Sequence, residues 1–102
     1  MRTNFRTYTL AVLFYRQVLT LKLSKHLRDQ LHRAASSVVL NLAEGSGRET
    51  RADQGRFFTI AFSSLRECQA ILDLAVPTGA PLVGSADILA AHIYRLIQST
   101  KR

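Results

Sequence analysis

"LNLAEGSGRETRADQGRFF", residues 40–58, decides how this chain folds. Gly45, Gly47 and Gly55 fall close together, arginines surround them, and apolar helix-forming residues lie on both sides. The stretch can be read as a phosphate-cradling loop, as a catalytic acid beside a hinge, or as the corner between two helices. Spacing removes the first reading. No lysine-serine or lysine-threonine pair follows the glycines and no strand pattern precedes them, so neither the nucleotide P-loop nor the dinucleotide fingerprint is met. Gly45 and Gly47 stand where a helix must stop and the chain turn, a place where glycine tolerates positive φ. Gly55 is expected inside the next helix, at a cost of roughly 1 kcal/mol relative to alanine, where it allows close packing against another helix.

Working outward from this corner, the apolar residues recur at helical spacing and no segment alternates with period two. Leu27, Leu31, Ala34, Val38 and Leu42 line one face of a helix over residues 25–44, with Ser24 as its N-cap. After the corner, Thr50 and Asp53 form a capping-box-like start to a helix over 51–75. A shorter helix precedes the pair (8–21) and another follows it (86–99, capped by Ser85). The fold expected is therefore all-α: an antiparallel up-and-down four-helix bundle, one domain over 1–102, built on a long central hairpin of the second and third helices. The third helix carries an apolar arc of about 240° at about 100° per residue, wider than two neighbours cover. Leu40 on the second helix also points away from its own apolar stripe. Leu40, Phe62 and Leu74 are the candidate contacts of a homo-oligomer.

Charge is the strongest compositional signal. The net charge is +7, and residues 1–34 hold seven of the basic groups against the single acid Asp29. Such a half points to a polyanion, with nucleic acid foremost. The candidate phosphate contacts are Arg6, Lys22, Lys25, Arg28 and Arg33, with Arg48 and Arg51 at the opposite end of the hairpin. Few aromatics look exposed, which favours recognition of backbone or shape over base reading. The longest early apolar run, Leu10–Tyr15, is far short of a membrane span of roughly 20 residues, and no signal peptide is expected. Cys68 is alone, which removes a disulfide framework and a cysteine metal cluster and fits a cytoplasmic setting.

Catalysis finds little support. Glu44 has no partner carboxylate or histidine at a useful spacing, His26 and His32 lie on different faces of one helix, and His92 is isolated. No catalytic residue, metal site or cofactor is expected. A polar set beside the core is more informative: Arg33, Ser37, Asn41 and Glu44 on one helix, and Arg56, Ser64 and Glu67 on the other. Charges so placed usually pair, because an unpaired buried charge is costly. A network joining Asn41 and Glu44 with Arg48 or Arg56 would lock the corner, or the same residues would bind a ligand directly.

The order and spacing of Arg33-Ala34-Ala35, Asn41-x-Ala43-Glu44-Gly45-x-Gly47-Arg48, Arg56-Phe57-x-x-Ile60-Ala61 and Ser64-Leu65-x-Glu67 extend over about half the chain. They resemble the four-helix-bundle proteins encoded within intervening sequences of bacterial 23S ribosomal RNA genes. The resemblance implies an up-and-down bundle, assembly as a ring-like homopentamer, no catalytic activity or cofactor, and association with ribosomal RNA. Distant relatives act as basic accessory subunits of reverse transcriptases, which implies an alternative role as a protein-interaction scaffold. The chain departs from the family pattern at Val39 and Leu40, where members commonly carry proline and serine, and in lacking a tryptophan-containing first helix.

Overall fold

The computed structural model of the chain describes residues 2–102, with side chains from Phe5 onward. The side chain of Arg2, counted above among the basic groups, lies outside the described residues. Four helices follow in order: α1 (Arg2–Val18), α2 (Lys25–Ser46), α3 (Arg51–Ala75) and α4 (Pro81–Ser99). Each packs on its neighbours in the sequence α1–α2–α3–α4, and α4 returns to α1, so the four close a ring around one core. The α2–α3 hairpin is the most extensive of these contacts, as expected for the longest pair. At about 1.5 Å per residue α3 alone spans roughly 37 Å, close to the 40 Å long axis of the molecule.

Large side chains that fill the core include Phe14, Leu31, Leu42, Phe58, Leu65, Leu89 and Leu96, all fully buried. Each contributes about 1.5–3 kcal/mol relative to exposure. The face predicted for α2 is the face buried, through Leu31, Ala34, Val38 and Leu42. On α3 the buried set is narrower than the apolar arc. Phe58, Ala61, Leu65, Cys68, Ile71 and Leu72 are inside, while Ile60 and Leu74 at the far edge remain exposed. α2 runs unbroken through Val39 and Leu40.

Helix ends differ from expectation in three places. α1 begins earlier than residue 8 and stops at Val18, and Leu21 and Leu23 of the connection pack half-buried against the core. α4 begins at Pro81, not 86. Proline is preorganised for the first helical position, and Ser85, expected as a cap, lies one turn inside with its hydroxyl donating to the Pro81 carbonyl. α2 continues to Ser46, past Gly45, so the corner itself is shorter than read from sequence.

Positive φ is not what the corner glycines supply: no described residue adopts it. Gly45 is buried within α2, and a Cβ there would stand 2.7 Å from Cε1 of Phe58. Its function is to let the α3 ring approach the α2 backbone. Gly47, at φ −89° and ψ −4°, closes α2 by donating its N–H to the Glu44 carbonyl at 3.2 Å, while the Arg48 N–H donates to the Gly45 carbonyl at 3.1 Å. Gly55 does lie within α3 at a close crossing, where a Cβ would meet the Thr100 hydroxyl at 2.7 Å.

Candidate nucleic-acid interface

The α2–α3 corner is built from local bonds. The Thr50 hydroxyl accepts the Asp53 N–H at 3.1 Å and so caps α3. Gln54 donates its side-chain amide to the Arg48 carbonyl at 3.2 Å. Glu44 and Arg48, one turn apart, form an ion pair at 2.5 Å. Arg56 has Asp53 as its acidic neighbour, at a longer 3.8 Å. Both guanidiniums lie over the Phe57 ring, 4.7 Å from its centroid for Arg48 and 4.5 Å for Arg56. The ring's negative faces attract the cations, and the two carboxylates offset their mutual repulsion.

The expected corner network is therefore present in part. Glu44 and Arg48 pair, but Asn41 belongs to a separate seam halfway along the hairpin. There its amide donates to the Ser37 carbonyl at 2.9 Å and the Ser37 hydroxyl at 3.1 Å. Ser37 in turn shares a 2.8 Å hydrogen bond with Ser64 across the helix interface. Glu67 is exposed on the outer face of α3, with no ion-pair partner within 4 Å among the described residues.

The basic candidates fall into two groups. Lys22, Lys25 and Arg28 gather at the α1–α2 connection. Lys25 is paired to Asp29 at 2.7 Å and Arg28 approaches the same carboxylate at 3.8 Å. The Lys25 ammonium, by its hydrogen bond and charge, holds the Asp29 carboxyl below its usual range. Arg33 lies farther along α2, exposed beside His26 and Gln30. Arg6 lies near the start of α1, away from that connection, and Arg48 and Arg51 lie at the α2–α3 corner, the other end of the hairpin. Burial above all, with the charges of Arg95 and then Arg6, lowers the pKa of His92 on α4.

That second end collects more cations than the sequence grouping implied. Arg51 donates to the Arg102 carbonyl, drawing the end of α4 over the start of α3. An open hollow of about 450 Å³ lies between these helices, lined by Arg51, Arg56, Lys101 and apolar Ile60 and Ile97. No carboxylate lines it. Lys101 was not singled out from sequence, although antiparallel pairing of α3 with α4 places the end of one beside the start of the other. Tyr94 was also passed over. It sits at the edge of the α4 apolar face, 53% exposed.

Of the candidate self-association residues, Leu40 and Leu74 are 66% and 78% exposed on the hairpin. Phe62 is less exposed than either. It lies half-buried on the α4 side, its ring 6.4 Å from that of Tyr94. Cys68 is fully buried, and burial pushes its thiol up to about 12. Among the described residues no three histidine, cysteine or acidic side chains cluster to hold a metal ion, and no helix is long and apolar enough to cross a membrane.

Neither curated proteins nor solved structures give a significant match. The family described as "23S rRNA-intervening sequence protein" matches residues 5–100. That span reaches all four helices and contains the α2–α3 corner, and the chain belongs to this family.

Proposed function

We propose that the protein is a non-enzymatic RNA-associated bundle that binds ribosomal RNA, or the intervening sequence within it, in the cytoplasm. The observation that carries this reading is the gathering of Arg48, Arg51, Arg56, Lys101 and Arg102 at one end of the molecule. Only three carboxylates, those of Glu44, Glu49 and Asp53, stand near them in the chain. The family's description supplies the ribosomal RNA. Guanidiniums and ammoniums so placed neutralise phosphates and release counterions, so affinity falls steeply with salt. The non-enzymatic reading is supported by the Cys68 thiol, buried and held protonated, and by Glu44, paired to Arg48.

Filter binding with the ribosomal insert tests the reading. Saturable binding at about 50 mM salt that weakens strongly by about 200 mM is expected, and no binding at the lower salt overturns it. Exposed Leu40 and Leu74 support assembly as a homo-oligomer, for which the family resemblance implies a pentamer. The same two side chains would equally serve a scaffold role beside a reverse transcriptase. A neighbouring reverse transcriptase gene, in place of a ribosomal RNA location, would favour that second reading.

A further inference from the structure

Two open hollows lie in line along the groove between α3 and α4. The first is the cationic hollow at the bundle end, where Arg51, Arg56 and Lys101 surround the side chains of Ile60 and Ile97. The second, of about 350 Å³, is formed around Phe62, Arg66 and Tyr94. Ile97 of the first hollow and Tyr94 of the second stand three residues apart on α4, about 4.5 Å along the helix axis. The two hollows are thus one short, continuous path.

The aromatic pair in this path is unequal. Phe62 is half-buried, and the Arg66 guanidinium lies over its ring at 4.8 Å from the centroid. Tyr94 leans on Phe62 at an interplanar angle of 53° and is itself 53% exposed. The tyrosine ring is therefore held by a neighbour yet open to a ligand. Asp87 stands at the far end of the second hollow, where its carboxylate accepts the Gln69 amide at 2.9 Å. Charge along the groove thus runs from strongly positive at the bundle end to near neutral at Asp87.

Cations that track a backbone, followed by an exposed aromatic ring, are what an unpaired polynucleotide requires. Phosphates meet the cations, and a splayed base stacks on the ring. An A-form duplex offers phosphates to the same cations, but its bases are stacked on one another and cannot reach Tyr94.

We propose that the α3–α4 groove is a track for unpaired RNA, with phosphates at Arg51, Arg56 and Lys101 and a base stacked on Tyr94. This rests on the RNA reading above and narrows it from backbone or shape recognition to single strands.

Fluorescence anisotropy with a short unpaired oligoribonucleotide and a blunt duplex of equal length, at about 50 mM salt, tests it. The unpaired strand should bind more tightly. Tyr94→Leu should weaken it about tenfold, Tyr94→Phe should retain it, and duplex binding should be the same in all three proteins. Tyr94 is exposed, so the variants should melt like the parent by circular dichroism. Undiminished single-strand binding by Tyr94→Leu, or a parent preference for duplex, overturns the groove while leaving the RNA reading standing. No binding of either RNA by the parent overturns the RNA reading itself.

Discussion

Gly45 and Gly84 are both helical glycines, and alanine has opposite consequences at the two. At Gly45 the added carbon would stand 2.7 and 2.9 Å from a Phe58 ring that is itself locked in the core. A rigid buried ring cannot yield cheaply, so Gly45→Ala should cost about 1–3 kcal/mol. At Gly84 nothing lies within 4 Å of the new carbon, and alanine removes glycine's backbone entropy from α4. Gly84→Ala should stabilise by about 0.5–1 kcal/mol. Thermal melts of the two variants check both signs. Cys68 gives a second test at this scale. Its thiol titrates near 12 in the fold against an ordinary 9.0. Between those values the unfolded chain has lost the proton that the folded chain retains. Stability from this group is therefore complete below about pH 9 and declines as pH rises, by roughly 1.4 kcal/mol per unit at most. Cys68→Ala should lose less melting temperature than the parent between pH 8 and pH 10.5, whatever its melting temperature at neutral pH.

At the scale of elements, the two long helices start differently. Thr50 caps α3 through its hydroxyl, whereas Ser24 precedes α2 without any side-chain cap bond. Thr50→Ala should therefore cost about 1 kcal/mol, and Ser24→Ala should leave urea midpoints close to the parent's. Both were readable as caps from residue type and position, but whether a hydroxyl turns onto its N–H is decided by the backbone entering the helix. Ser24 enters at φ −57° and ψ 152° and Thr50 at φ −102° and ψ 150°. The polar seam separates prediction from outcome in a similar way. Ser37, Asn41 and Ser64 were visible as polar residues beside the core, but their pairing with one another depends on the register of α2 against α3.

For the whole molecule, the relevant quantity is charge distribution. Counting along the chain assigned the positive field to the first third, yet antiparallel closure brings Lys101 and Arg102 beside Arg51 and Arg56. Phosphate binding there should respond to single cations. Lys101→Gln should lower the salt slope for single-stranded RNA by about 0.7, measured by anisotropy across a salt series. Self-association is the other property of this scale. Leu40→Glu combined with Leu74→Glu should shift light scattering towards the monomer, since neither side chain contributes to the core. An unchanged mass would place the subunit contacts elsewhere.

Sequence alone determined the helical class, the α2–α3 corner, the range of α3 and most of the buried face of α2. Those depend on local periodicity and capping, which are written within a few residues of where they act. The family resemblance was legible for the same reason, since its motifs concentrate on that hairpin. Only the tertiary structure decided that Gly45 serves close packing and not a left-handed turn, because Phe58 lies thirteen residues away and on another helix. It also decided that Arg51, Arg56 and Lys101 share one end and that Tyr94 stands open beside Phe62. Such groupings are set by how four helices close a ring, a property of packing between elements that no single stretch of sequence contains.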